Sequence, residues 1–288
     1  MMTYAFQIAE LGIQVCTEKP MRITESFAPF VLKEPRGHAD WISHFRVVGH
    51  LPEFLDDPLF SDHGISIYRQ SGKIYRAFYD YSDRNKIYAV TDYSNEEKVI
   101  QVNYLPNKEK YFSESGNCFF HIGLEALMMK AERYILHASC VQTQYGGILF
   151  SGPSGSGKST QAKLWCGSEA AEMINDDKPI LFRKEGCWFA YGSPYAGSSH
   201  YYVNDFCVVQ AIIFVKKAEN STIRRLSLTE AIQRIYANLT INAWNREFVV
   251  QALDAAMKMA EEIPVYELNC LPDHSAVDIL KKQLQGSR

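Results

Sequence analysis

Gly152-Pro153-Ser154-Gly155-Ser156-Gly157-Lys158-Ser159-Thr160 decides how this chain is read: three glycines, a lysine and two consecutive hydroxyls follow the apolar run Ile148-Leu149-Phe150. The pattern is G-x-x-x-x-G-K-[ST], that of a phosphate-binding loop. Glycines let the backbone turn its N–H groups inward around an anion, and a helix starting at the loop adds its positive end to the same spot. Lys158 would then reach the β- and γ-phosphates of a nucleotide, and Ser159 would ligate Mg²⁺. Gly146-Gly147 marks a turn ahead of the apolar run, and Thr160 to Trp165 reads as the helix behind it. Strand, loop and helix therefore occur in the order the motif requires.

The totals set the frame for that loop. A chain of 288 residues, 47% hydrophobic and 22% charged, has the composition of a globular protein with one large domain or two ordinary ones. A formal net charge of −3 gives no global reason to expect nucleic acid as a partner. Seven cysteines are scattered without a C-x-x-C pair, as in a reduced intracellular protein. The eight histidines show no paired ligand spacing, so nothing points to a dedicated transition-metal site. The first residues lack a basic start and an apolar core, and no run is long enough for a membrane span; a cytoplasmic protein with no membrane partner is expected.

Residues 1 to about 115 read as a β-rich region. Strand candidates are Tyr4 to Ile8, Ile13 to Cys16, Phe45 to Val48, Ile65 to Arg69, Ile74 to Tyr79, Ile87 to Thr91 and Val99 to Tyr104. Turns at Gln70-Ser71-Gly72-Lys73 and Asp83-Arg84-Asn85 suggest an antiparallel meander. The tyrosines Tyr68, Tyr75, Tyr79, Tyr81 and Tyr88 are expected as ordinary members of a half-buried sheet. From Cys118 to Lys130 the period becomes helical, and Tyr134 to Val141 is again strand-like. The boundary is placed near residue 115, giving a β-rich region over 1–115 and a nucleotide-binding domain over 116–288. Beyond the loop, Pro179 to Arg183 and Cys187 to Tyr191 form a hairpin joined at Lys184-Glu185-Gly186, and Val208 to Val215 suits a central strand. Ser227-Leu228-Thr229-Glu230 is a capping box opening one helix, Asn245 to Glu262 is a second, Val265 to Leu268 a short strand and Ser275 to Leu284 a last helix. The expected class is α/β (α+β).

Asp176-Asp177, at the end of the apolar run Met173-Ile174-Asn175, is the second anchor. A phosphate site needs carboxylate oxygens to hold Mg²⁺ or take a proton from the acceptor. Such a pair alone is a common turn element; its place after the strand that follows the phosphate-loop helix makes it a site candidate. His137 is the third. A lone histidine in an apolar stretch is ordinarily a core residue, but the expected hairpin brings this one beside the loop strand.

Leu136-His137-Ala138-Ser139, the segment Gly147 to Thr160 and Asp176-Asp177 together resemble the catalytic domain of HPr kinase/phosphorylase, of the phosphoenolpyruvate carboxykinase-like phosphate-loop group. The likeness covers roughly residues 134 to 218 by motif. It implies a mixed sheet with flanking helices and ATP with Mg²⁺ as cofactors. It also implies Lys158 as phosphate ligand, Ser159 as Mg²⁺ ligand, Asp176 as the carboxylate that takes the acceptor's proton, Asp177 as its metal- or water-holding partner and His137 close to the phosphate. The family's glutamate-led signature is absent: Tyr191 to Ser199 contains no acidic residue. That departure puts the reverse, phosphorolytic reaction and HPr itself as substrate in doubt. The β-rich segment and the loop Gly192 to Ser199 look more like divergent relatives associated with ribosomally made peptides, some of which are peptide serine kinases.

The expectation is therefore a phosphotransferase acting on a hydroxyl, with a serine of a protein or peptide as acceptor. A homo-oligomer is compatible with it. The glycines of the 192–199 loop would permit it to close over that acceptor, and Arg183, Arg224 and Arg225 are candidates for stabilising transferred charge. The alternatives are a catalytically silent nucleotide-binding or peptide-presenting module, a small-molecule kinase, and a carboxykinase, for which the chain is short.

Overall fold

Ala9 and Glu10 both adopt left-handed backbone, at φ 47° and 63°, and fold β1 (Met2–Ile8) back on β2 (Leu11–Thr17) with Ile8 opposite Leu11. A two-residue turn of this hand matches the right-handed twist of the strands it joins. The same device recurs at His63-Gly64, Ser71-Gly72 and Glu185-Gly186. The computed structural model describes residues 1–33, 39–80, 83, 86–93, 98–197 and 199–286. Tyr81, the turn residues Arg84 and Asn85, and Ser198 lie outside the described residues. The chain is a mixed α/β protein that divides into two units, Met1–Leu124 and Glu125–Arg288.

In the first unit, β1 and β2 are followed by β3 (Trp41–Val47), β4 (Phe60–Asp62), β5 (Ile65–Gln70), β6 (Lys73–Tyr79), β7 (Ile87–Asp92), β8 (Val99–Tyr104) and the helix α1 (Ser115–Ile122). The sheet order is β1-β2-β3-β8-β7-β6-β5-β4. Strands β4 to β8 form the expected antiparallel meander, but β3 lies between β2 and β8 and is parallel to both. The sheet is therefore mixed, because β8 returns to pair with a strand far behind it in the chain. Phe6 and Phe119 meet edge to face at 4.9 Å, and Phe27 stacks on Phe119 at 4.4 Å. Tyr75 and Tyr79 pack against Tyr68, Ala77 and Val90, and the Tyr68 and Tyr79 hydroxyls lie 2.6 Å apart.

The expected helix from Cys118 to Lys130 is two helices, α1 and α2 (Leu124–Lys130), broken at Gly123 with φ 74°. The second unit continues with β9 (Arg133–Ile135), β10 (Ala138–Thr143), β11 (Gly146–Ser151), α3 (Lys158–Ser168), β12 (Glu172–Asn175), β13 (Ile180–Lys184), β14 (Cys187–Tyr191), β15 (Phe206–Lys217), β16 (Thr222–Arg225), α4 (Leu228–Asn238), α5 (Arg246–Glu262), β17 (Val265–Cys270) and α6 (His274–Gln285). The expected strand from Tyr134 to Val141 divides into β9 and β10 because its backbone changes partners. Leu136 N–H donates to the Pro179 carbonyl, His137 N–H to Asn238 and Ala138 N–H to Asp177. The sheet order is β12-β10-β11-β15-β14-β13-β9, with β17 pairing both β15 and β16.

Strand β15 organises this sheet: its later residues run parallel to β11 and β17, and its first residues pair antiparallel with β14. Side chains alternate across it. Ala211, Ile213 and Val215 join Ile148, Phe150 and residues of α3 and α6 in one core, while Ile212 and Phe214 join Leu149 and residues of α4 and α5 in the other. Trp165 on α3 is fully buried in the first of these cores. Helices thus cover both faces of a sheet whose central strands are parallel, and the glycine-rich 152–157 loop leaves the carboxyl end of β11.

Candidate functional site

The loop between β11 and α3 turns on glycines with φ 137° at Gly152, 77° at Gly155 and 109° at Gly157. At Gly152 a side chain has no room: a Cβ would lie 3.0 Å from Ser156 Oγ and 3.1 Å from the Val215 carbonyl. The first bond of α3 runs from Gln161 N–H to the Gly157 carbonyl at 2.9 Å, so the amides of Lys158, Ser159 and Thr160 have no acceptor within the helix. Lys158 is only 7% exposed, and its Nζ donates to the Gly152 and Pro153 carbonyls at 3.0 and 3.1 Å. Burial lowers its pKa, against an opposing pull from Asp177. Ser156 Oγ is buried without a protein partner. Free amides, a buried ammonium and an orphaned hydroxyl in one loop fit a phosphate group. Pro153, Ser154 and Gly155 form the exposed crest of the loop.

Beside the loop, Ser156, Gly157, Thr160 and Gln161 line one wall of a cleft of about 350 Å³, and Val215, Lys217 and Leu271 line another. Its position against the start of α3 suits the body of a nucleotide whose phosphates sit on the loop.

Asp176 and Asp177 follow β12, which pairs with β10. Ser139 joins them to the loop: its Oγ donates to the Asp176 carbonyl at 2.8 Å and lies 3.5 Å from Ser159 Oγ. Asn175 shapes the corner, accepting at Oδ1 from the N–H groups of Asp177 and Lys178 at 3.0 and 2.7 Å. This is an Asx turn, for which asparagine ahead of two aspartates is a local signal. From its Nδ2, Asn175 donates to the Tyr195 carbonyl at 2.9 Å, and Ser193 Oγ donates to the Lys178 carbonyl at 2.7 Å. Both bonds fasten the 192–199 segment to the corner.

That segment covers Asp176, which is 3% exposed. Gly197 N–H donates to Oδ1 at 2.9 Å, Ser199 N–H approaches Oδ2 at 3.3 Å, and the Ser199 hydroxyl donates to Oδ2. His137, at the break between β9 and β10, places Nε2 3.3 Å from Asp177 Oδ1. Burial and the Lys158 charge lower its pKa, against the opposing pull of Asp177.

The structure thus gathers the expected residues Lys158, Ser159, Asp176, Asp177 and His137 in one region of the second unit. The Asx turn at Asn175 is local in the sequence, but the bonds of Ser139 to Asp176, of Asn175 to Tyr195 and of Gly197 to Asp176 join residues 20 or more positions apart, which no sequence pattern connects. Arg183 donates to Glu262, with Nε 2.8 Å from Oε2, and Arg224 donates to both Glu230 and Glu267, so these two candidates for charge stabilisation are held by carboxylates. Among the described residues no group of three or more His, Cys, Asp or Glu is placed to hold a metal ion. Mg²⁺ on a nucleotide takes most of its ligands from phosphates and water and needs only one or two protein oxygens. All seven cysteines are free, and among the described residues no helix is long and apolar enough to cross a membrane. No protein-family model matches the chain, and no curated protein matches it. Among solved structures, it is similar to the Hpr(Ser) kinase/phosphatase from Coxiella burnetii, at 14% sequence identity, over 53% of this chain and 93% of that chain, with a TM-score of 0.30.

Proposed function

We propose that this chain is an ATP- and Mg²⁺-dependent phosphotransferase whose acceptor is the hydroxyl of a serine in a protein or peptide. The observation that carries the proposal is the position of Ser139, whose Oγ donates to the Asp176 carbonyl and lies 3.5 Å from Ser159 Oγ, so the Asp176-Asp177 corner neighbours the start of the helix behind the loop. A phosphate-binding end and a proton-accepting carboxylate are the two parts that phosphoryl transfer to a hydroxyl requires. The loop amides and Lys158 would bind and orient the nucleotide phosphates, and Asp176 would orient the acceptor oxygen and take its proton. Ser159 and Asp177 would hold Mg²⁺, which when bound neutralises phosphate charge. His137, with Nε2 3.3 Å from Asp177 Oδ1, would flank the metal-holding carboxylate. We place the protein in the cytoplasm, in keeping with its free cysteines.

Incubation with γ-labelled ATP, Mg²⁺ and a pool of serine-containing peptides tests the proposal. Phosphoserine should form, Lys158→Ala should weaken nucleotide binding, and Asp176→Asn should keep binding but lose most of the transfer. Transfer by Asp176→Asn at the unchanged rate would refute the base assignment. The second reading, a nucleotide-binding module without catalysis, draws on the engagement of both Asp176 oxygens by the 192–199 segment. It predicts sustained ATP binding with neither transfer nor hydrolysis.

A further inference from the structure

The hydroxyl of Ser199 occupies the place on Asp176 that an acceptor hydroxyl would take. It donates to Oδ2 of Asp176, the carboxylate that takes the acceptor's proton under the function proposed above, on which this inference rests. Its own amide lies 3.3 Å from the same oxygen, and Gly197 N–H donates to the other at 2.9 Å, so the backbone leading into the hydroxyl is registered on the carboxylate. The approach is close enough that a Cβ on Gly197 would lie 3.2 Å from Asp176 Oδ2 and 3.6 Å from Asp177 Cβ. The segment is anchored further back by the Tyr195 carbonyl on Asn175 Nδ2 at 2.9 Å. A merely connecting loop does not require a serine hydroxyl on that oxygen.

We infer that Ser199 is the chain's own acceptor and is phosphorylated in cis. Ser199 Oγ attacks the γ-phosphorus of ATP, the new O–P bond forms as the bond to the β,γ-bridging oxygen breaks, the hydroxyl proton passes to Asp176, and ADP leaves. The product cannot keep its place. A phosphoserine carries nearly two negative charges and no hydroxyl proton, so it repels the Asp176 carboxylate to which the free serine donated. Phosphorylation therefore releases the segment and opens Asp176 to an external serine. The self-reaction is an activating step.

The test is incubation of the full chain with ATP and Mg²⁺ across a range of protein concentrations, with the phosphate located by mass spectrometry. The peptide pool runs in parallel. Phosphate should appear on Ser199 at a fractional rate independent of protein concentration, and protection of the Gly197 and Ser199 amides from hydrogen exchange should fall as it does. Ser199→Ala should lose that phosphate, and Ser199→Thr, which keeps a hydroxyl, should carry it as phosphothreonine. Phosphorylated peptides with an unmodified Ser199 would overturn this inference and leave the kinase reading standing. A rate that rises with protein concentration would overturn the cis reaction. No transfer to any acceptor and no ATP consumption would overturn both.

Discussion

Lys158 is a cation almost excluded from water, held on two carbonyls of its own loop and opposed by the Asp177 charge. Those carbonyls are weak substitutes for phosphate oxygens, to which an ammonium makes charge-assisted bonds of about 1.5–3 kcal/mol. Lys158→Ala should accordingly weaken ATP binding by roughly 10- to 100-fold in calorimetry. Asp176→Asn should leave that affinity within a few-fold and slow transfer by about 10²- to 10⁴-fold, the range for loss of a positioned base. His121, in the first unit, carries a different prediction. Its Nδ1 bonds the Asn117 carbonyl at 2.7 Å, its Nε2 meets the Tyr88 hydroxyl at 2.8 Å, and the Phe78 and Phe112 rings lie 4.3 and 4.6 Å away. Burial pushes its pKa down to about 4, helped by the Arg76 charge and only partly countered by the bond to Asn117. Below pH ~6.5 the unfolded chain takes up this proton before the folded one does, so stability is full above that pH and is lost as pH falls toward 4. The loss should approach roughly 3 kcal/mol in urea unfolding of the first unit. His121→Gln should flatten that slope; an unchanged slope would assign it to other groups.

Gly192 shows what the 192–199 segment requires of its element ends. A Cβ there would lie 2.0 Å from the Val203 carbonyl and 3.1 Å from the Ile174 carbonyl, both backbone atoms with little freedom to move. The Gly192 N–H also donates to the Asp205 carbonyl at 2.9 Å, which ties the start of the segment to its return into β15. Gly192→Ala should therefore destabilise the second unit by about 1–3 kcal/mol, as overpacking does, and raise hydrogen exchange at Gly197 and Ser199. An alanine variant with unchanged melting and exchange would mean that the segment is not held as described. The same element explains what was legible in the chain. The phosphate loop, the Glu185-Gly186 turn and the Ser227–Glu230 capping box are each specified by residues within a few positions of one another, and the capping box forms with both reciprocal bonds. The covering of Asp176 was not legible, because its partner Gly197 lies 21 positions downstream and no periodicity connects them.

At the scale of the whole chain, the longer strands were readable from β-branched and aromatic runs, but the short β4 and β16, and the choice of partners, were not. The insertion of β3 between β2 and β8, and the change of partners at Leu136 and His137, depend on segments distant in sequence. What the division into units does provide is a test of self-sufficiency. Among the described residues, the members of both cores that sandwich the β11–β15–β17 sheet run from Ala126 to Leu284. His137, the 152–160 loop, Asp176, Asp177, Gly197 and Ser199 all fall within Glu125–Arg288 as well. Each bond described for the site, from Ser139 to Ser199, closes inside that unit. A chain starting at Glu125 should therefore fold cooperatively and bind ATP within about threefold of the full chain, a difference below ~1 kcal/mol. Calorimetry on both forms, with circular dichroism to establish folding, gives the comparison. A folded 125–288 chain that has lost ATP binding would assign part of the nucleotide site to residues 1–124. Retained binding with lost transfer to peptides would instead give the first unit a part in presenting the acceptor.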